Sequence, residues 1–278
     1  MEKNIKSVKW IIIIFNILII GNFKEFFFRK SICMCSIAKK ENLYIKEFIN
    51  HYKKLGYNHF FLYDNNDKDD EKFENVIFEE LKEDIVTVID FRGFRGSKGG
   101  PQMDAYYNCY KENKNKCDWI SFFDIDEYLI LDSNYNTLQQ LLDNSRYENC
   151  EGISLNWKIF HDNNLLEYKN ISIMKRFTGL KKNLFENTTK LIARGKLSDN
   201  LKKSYSAHTL WYNIKLCNTL GKRITYRFWI TPPSYNYAYL NHYYTKSIGE
   251  FCNKIKKGNV YYNITLNSHT LKEKFIKI

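Results

Sequence analysis

Proline is nearly absent from this 278-residue chain, with three in all, and only twelve glycines accompany them. That scarcity excludes collagen-like and proline-rich linker architectures and leaves few hard punctuation marks between elements. No G-x-x-x-x-G-K-S/T loop occurs, so a P-loop nucleotide site is excluded. No C-x-x-C pair occurs either, which removes the common zinc and thiol-redox signatures. The seven cysteines are an odd number, and Cys33 and Cys35 form a C-x-C pair within an apolar run. That pattern favours a reduced compartment, against which the sequons at Asn170, Asn187 and Asn263 weigh little in an Asn-rich chain. No apolar run reaches the length of a membrane-spanning helix. The longest, WIIIIFNILIIGNF at 10–23, would cover roughly 21 Å as a helix against a hydrocarbon core of roughly 30 Å.

What is present is a hydrophobic fraction of 44%, aromatics at 17% and a net charge of +12 from 43 Lys and Arg against 31 Asp and Glu. The first two figures describe a chain able to bury a core, in one large domain or two small ones. The third favours anionic partners: nucleic acid, lipid headgroups or a phosphorylated substrate. Basic residues are spread along the chain without a reader motif, so nucleic acid is not expected as a partner. Residues 1–30 combine Lys3, Lys6 and Lys9 with the isoleucine-rich run and aromatic flanks at Trp10 and Phe26 to Phe28. The segment reads as a membrane-associating anchor or interfacial helix, as an uncleaved signal-anchor, or as an element packed on the domain. The expectation carried forward is membrane association, with the catalytic domain on the cytoplasmic side.

From residue 31 the pattern alternates. Apolar runs at 31–38, 59–63, 85–89 and 119–123 read as strands. Helical spacing appears at 43–55, where Gly56 stops it, at Phe73, Val76, Ile77 and Leu81, and at 102–114. Alternating strands and helices predict an α/β fold with a mainly parallel sheet and helices on both faces. Beyond Gly152 the rhythm is irregular, with a strand candidate at 153–157. Residues 31–278 are read as one domain, 31–131 serving the donor and 132–278 the acceptor. Ligands of such sheets bind past the carboxyl ends of the strands, which directs attention to 39–42, 64–67 and 124–127.

The last of these is FFDIDEYL, with Asp124, Asp126 and Glu127 directly after a buried strand. A D-x-D pair alone is weak, and Asp67 with Asp69 forms another in a solvated tract. Three carboxylates at a buried strand end nonetheless require a cation. It is either a structural Lys or Arg, or a hard divalent ion that shares its shell with substrate phosphates.

The segments ICMCSIAKKENLYIKEFINHYKKLGYNHFFLYDNND, PQMDAYYNCY and CDWISFFDIDEYLIL, followed in order by NWKIFHDNN, MKRF, TKLIARGK and LNHYYTKSIGEFCNKIKKG, resemble GT-A-type glycosyltransferases. The likeness is to families 2 and 92, of the bacterial polysaccharide or lipopolysaccharide kind, and covers about 31–258. It implies a Rossmann-like GT-A fold, a nucleotide-diphosphate sugar donor, a glycan or lipid-linked acceptor, Mn2+ or Mg2+, and inversion at the anomeric carbon. Matched residue by residue, it places Asp124 near the ribose or metal waters, Asp126 on the metal, and Asp64 with Asn65 at the base. Lys40, Glu41 and Asn42 fall at the nucleotide pocket, and Gln102 at a helix start facing the donor. Lys98 and the glycines of RGFRGSKGGP would favour phosphate there, or form a plain surface turn.

His242 and Lys246 in LNHYYTKS could serve the metal and the diphosphate, although a His among aromatics is also an ordinary core residue. His208 makes a weaker candidate. Asp162 in FHDNN, with His161 and Glu186 behind it, is the candidate base for the acceptor hydroxyl, and a surface-loop Asp would look the same. Trp157, Phe160 and Tyr243 could stack on sugar faces or belong to the core.

Overall fold

The computed structural model describes residues 30–180, 187–225 and 232–256. The N-terminal run and Glu186 lie outside them. Among the described residues no helix is long and apolar enough to cross a membrane.

The first strand shows how the sequence builds the fold. Strand β1 (Ile32–Ala38) is buried almost throughout, so it has no solvent face and its alternate residues serve two cores. Ile32 and Met34 join one cluster with helix α1 (Asn42–Lys54), which contributes Tyr44, Ile45, Phe48, Ile49 and Tyr52 on one stripe. Cys33 and Cys35 join the other with helix α3 (Gly100–Asn113), which contributes Met103, Tyr106 and Cys109. Helix α1 ends where Gly56 takes φ +91°, and the Gly56 and Tyr57 amides bond the Lys53 and Tyr52 carbonyls at 3.0 and 3.1 Å.

Strand β2 (His59–Asp64) pairs parallel to β1, and β3 (Val86–Asp90) pairs parallel to β2. The second expected helix is broken. A 3-10 turn at Phe73–Asn75 and a short helix α2 (Phe78–Lys82) flank the β-branched pair Val76 and Ile77. Strand β4 (Trp119–Phe122) returns to the opposite side of β1, again parallel. The rest of the chain extends the same sheet with β5 (Glu127–Leu131), β6 (Gly152–Ile159) and β7 (Thr189–Arg194). Short helices α4 (Leu138–Leu142) and α5 (Ile173–Arg176) lie between them. A small hairpin, β8 (Lys203–Ser206) with β9 (Thr209–Trp211), follows. Then come β10 (Leu216–Cys217), β11 (Ala238–His242) and the last described helix, α6 (Ile248–Lys256).

The strand order is β3-β2-β1-β4-β7-β6-β11-β5, with β10 on β6. Five of the neighbouring pairs are parallel and three antiparallel, so the sheet is mainly parallel, with helices on both faces, as the resemblance implied. Chain direction reverses across the sheet between β1, which leads outward to β2, and β4, which leads the other way. Residues 39–42 and 123–127 leave the sheet at this switch point, where open α/β sheets bind ligands.

The expectation of reduced cysteines is corrected. Cys33 pairs with Cys117, Cys35 with Cys109, and Cys150 with Cys217, at Cα separations of 6.0, 6.3 and 5.8 Å, and Cys252 is free and exposed. Strand alternation explains the first two. Residues two apart share a face, so the C-x-C pair presents both sulfurs to α3 and the turn after it.

Candidate active site

The chain leaves β4 at Phe122, turns through 123–126 and enters β5 at Glu127, which pairs with His242 at the end of β11. This corner gathers Asp124, Asp126 and Glu127, and it neutralises them in two separate ways.

Asp124 is fixed on every side. Its Oδ1 accepts from the Gln102 amide at 2.6 Å and the Tyr106 hydroxyl at 3.0 Å, both on α3. Its Oδ2 lies 2.8 Å from the Lys190 ammonium. Lys190 stands on β7 with its side chain 1% exposed, and it also reaches Glu127 Oε1 at 3.6 Å. Burial opposes a charged lysine here, but Asp124 and then Glu127 hold its pKa well above the usual value. Glu127 is fully buried. Burial first, with Lys190 opposing and Asp124 and Asp126 adding to it, pushes its carboxyl well above the ordinary range. Its Oε2 accepts the Asp124 amide at 3.1 Å.

Asp126 belongs to the other group. Its Oδ2 accepts from Lys254 on α6 at 2.6 Å, and its Oδ1 lies 3.5 Å from His242 Nε2. Burial would raise this carboxyl, but Lys254 and then His242 hold it well below the usual range. Asp126 is held low and therefore charged, while Glu127 next to it is pushed toward the neutral acid. Trp157 packs at a tilt on His242, 4.2 Å between ring centroids, and meets His208 edge-on at 5.4 Å, which places the indole between two imidazoles. Burial lowers His208 to about 4, and its Nδ1 lies 3.0 Å from the Thr189 carbonyl.

The other expected residues fall into three places. Lys246 is buried, 2.7 Å from Glu41 and 3.7 Å over the Tyr44 ring, so it ties the segment after β11 to the segment after β1. Asp64 and Asn65 face protein. Asp64 Oδ2 accepts from Arg92 at 2.8 Å, and the Asn65 amide donates to the Phe91 and Phe94 carbonyls, each at 2.8 Å. Lys40, in the left-handed region at φ 56°, pairs with Asp70 at 2.8 Å, and Asn42 donates to the Lys72 carbonyl at 3.0 Å. Asp162 lies in a turn after β6, where its Oδ1 accepts the Asn164 amide at 3.0 Å and His161 Nδ1 lies 3.8 Å away. Phe160 and Tyr243 pack against each other at a tilt, 4.9 Å between centroids, and Tyr243 is buried in the core. The glycine loop folds back on α3, where Asp104 accepts from the Ser97 amide and hydroxyl, both at 2.6 Å. At Gly96 an added Cβ would sit 2.2 Å from the Pro101 nitrogen, so a tight turn requires that glycine.

Sequence reasoning missed three cations. Lys190 carried one signal, a lysine inside the apolar strand TKLIAR. Lys254 carried none beyond membership of a basic helix. Arg92 donates five bonds of 2.7–3.0 Å, one to Asp64 and four to carbonyls of residues 67–71, and so frames that loop. Backbone carbonyls leave no trace in a sequence.

The family model described as glycosyltransferase family 92 matches residues 29–275. A family 92 protein of Oryza sativa subsp. japonica is 25% identical over 119 residues, which are 41% of this chain and 18% of that protein. One from Ricinus communis is 25% identical over 108 residues, 37% of this chain and 18% of its own. The chain therefore aligns with under a fifth of these relatives' length. Among solved structures, S. aureus TarS superposes with a TM-score of 0.43 at 10% identity, covering 89% of this chain and 43% of TarS. The mannosyltransferase PcManGT from Pyrobaculum calidifontis, solved with GDP-Man and Mn2+, gives 0.35 at 12% identity, covering 46% and 36%. On the family match, which spans nearly the whole sequence, the chain belongs to glycosyltransferase family 92.

Proposed function

We propose that this chain transfers a sugar from a nucleotide-diphosphate donor to a glycan or lipid-linked acceptor, with inversion, using Mn2+ or Mg2+ at Asp126. The observation that carries the reading is the carboxylate corner at the switch point of the sheet in a chain of this family. The residues present suit a hard divalent cation. Asp126 Oδ1 and His242 Nε2 approach to 3.5 Å, one carboxylate oxygen and one imidazole nitrogen that an ion could share. Among the described residues no group of three or more His, Cys, Asp or Glu is arranged to hold a metal. An ion held by Asp126 and His242 would complete its shell with donor phosphates and water, as magnesium and manganese do. When bound, it would neutralise charge developing on the leaving diphosphate.

The protein's own groups supply the rest. Gln102, Tyr106 and Lys190 lock Asp124 so that its partly exposed carboxylate accepts from donor hydroxyls in a fixed direction. The Glu41–Lys246 pair holds the segments after β1 and β11 together at the nucleotide side. Arg92, held by Asp64, shapes the 67–71 loop that borders this side through its bonds to the loop carbonyls. Asp162 takes the acceptor hydroxyl proton as the new glycosidic bond forms.

The three disulfides support a domain that works in an oxidising compartment, in place of the cytoplasmic side expected from sequence. The basic, apolar residues 1–29 would attach it to a membrane. Detergent-free fractionation with and without residues 1–29 tests that attachment; soluble full-length protein in low-salt buffer contradicts it. Release of nucleoside diphosphate from a panel of nucleotide sugars, with Mn2+ and with chelator, tests the activity. Metal-dependent turnover of one donor, falling by about two or more powers of ten in Asp126→Asn, is expected. Turnover indifferent to chelator, or no turnover of any donor, contradicts the proposal.

A further inference from the structure

We propose that Lys254 is a built-in stand-in for the divalent cation: its ammonium holds Asp126 while the site is without metal, and withdraws when metal arrives. The inference rests on the metal-dependent reading above and concerns what the chain does before the metal binds. Asp126 is 6% exposed, and a carboxylate so buried needs a cation at all times. Lys254 Nζ provides one, 2.6 Å from Oδ2, with the Tyr244 carbonyl at 3.1 Å and the Tyr244 ring face at 4.1 Å. Carboxylate, carbonyl and aromatic face together make a small cation cradle.

The placement of Lys254 makes the contact exchangeable. Helix α6 is held at its start. Ser247 donates its hydroxyl to Glu250 at 2.6 Å, Arg176 pairs with Glu250 at 3.1 Å, and Phe251 is 1% exposed. Toward its other end Asn253 and Lys256 are exposed and the Lys254 side chain is 31% exposed. The ammonium can therefore swing to solvent without unpacking the helix, whereas Lys190, 1% exposed within a strand, cannot leave Asp124. Exchange of one cation for another leaves no buried charge unpaired in either state.

The test uses Mn2+ alone as the probe, titrated into the full chain, Lys254→Met and Asp126→Asn. Lys254→Met should bind Mn2+ about tenfold or more tightly than wild type, because a charge-assisted bond no longer competes for the carboxylate. Asp126→Asn should lose the binding. A second readout needs no variant at Lys254. Acylation of Lys254 by an amine-specific reagent at fixed pH, followed by mass spectrometry, should be slow in wild type and faster once Mn2+ is added. In Asp126→Asn it should be fast with or without Mn2+. Asp126-dependent Mn2+ binding that is no tighter in Lys254→Met and leaves acylation unchanged would overturn the exchange while the metal site stands. Absence of Mn2+ binding in both proteins, even with UDP or GDP present, would overturn the exchange and the metal site together.

Discussion

The two ends of the carboxylate corner differ in what neutralises them. At one end Lys190, from the middle of the sheet, closes Asp124 and Glu127 with its side chain 1% exposed. At the other, Lys254 comes from the last turn of a helix and closes Asp126 with 31% of its side chain exposed. In the first, the lysine and Glu127 are part of the core and removing the lysine strands its partners, although the Asp124 side chain is 34% exposed. The second leaves the carboxylate charged behind a counter-ion whose side chain is partly at the surface. Three acidic residues within four positions therefore serve two purposes. The outer pair, Asp124 and Glu127, shares a buried lysine that fixes the corner, whereas Asp126 is held by a lysine at a helix end and is the carboxylate proposed above for the metal.

Lys190→Met should do the most to break this contrast. It leaves Asp124 without its cation beside a buried glutamate, at a cost of about 3–5 kcal/mol in denaturant unfolding. Lys254→Met uncovers a more buried carboxylate but leaves His242 3.5 Å from Asp126, so its loss should be smaller, and equal losses would erase the distinction between the two ends. The disulfides come next. Cys35 and Cys109 tie β1 to the helix that carries Gln102 and Tyr106, so replacing both with Ser should cost about 2–4 kcal/mol and weaken donor binding. The Cys150–Cys217 bridge lies between β6 and β10, away from α3, so its loss should cost stability without that effect on the donor. Thiol titration of the unfolded, unreduced chain should find one reactive cysteine, Cys252, and seven would show that no bridge forms.

A third effect is set by pH. His208 has its pKa lowered to about 4 by burial, then by Lys190, so protons bind the unfolded chain more readily between that value and 6.5. Stability contributed by the neutral imidazole is thus complete above about 6.5 and is lost as pH falls toward 4, by roughly 3 kcal/mol in all. His208→Gln should flatten the part of the acid unfolding curve in that window; an unchanged curve would assign the dependence to the carboxylates instead. The smallest change is expected for Glu127→Gln. A carboxyl pushed toward its neutral form loses little as an amide, about 1 kcal/mol or less in thermal unfolding, and a much larger loss would show that Glu127 is charged.

Much of the donor half was legible because its signals are local. The strands at 32–38, 59–64, 86–90 and 119–122 were visible as apolar runs, and Gly56 marked the end of α1 where the backbone needs a positive φ. The carboxylate corner was visible for the same reason, being three acids after a buried strand. What escaped is long-range. Lys190 and Lys254 come from 63 or more positions away, and the sequence offered only their general type. The cysteines misled because parity and motif spacing say nothing about faces, and strand alternation pairs Cys33 and Cys35 with partners 84 and 74 residues on. Asp64 was legible as an acid at a strand end, yet its partner Arg92 turns it into a loop anchor. From residue 152 on the strands pair in mixed directions, β6 antiparallel to β7 and parallel to β10 and β11, and no local signal states which direction a strand will take.

Asp126, rather than Asp124, is the carboxylate proposed above to take a metal–diphosphate ligand. Titration of Mn2+ in the presence of UDP or GDP into wild type, Asp124→Asn and Asp126→Asn compares the two acids directly, with unfolding measured on the same samples. The account predicts that Asp126→Asn abolishes nucleotide-linked Mn2+ binding in a folded protein, and that Asp124→Asn keeps Mn2+ binding while weakening the nucleotide. Equal Mn2+ affinity in wild type and Asp126→Asn, with the mutant destabilised, would contradict it and leave Asp126 a structural partner of Lys254 and His242.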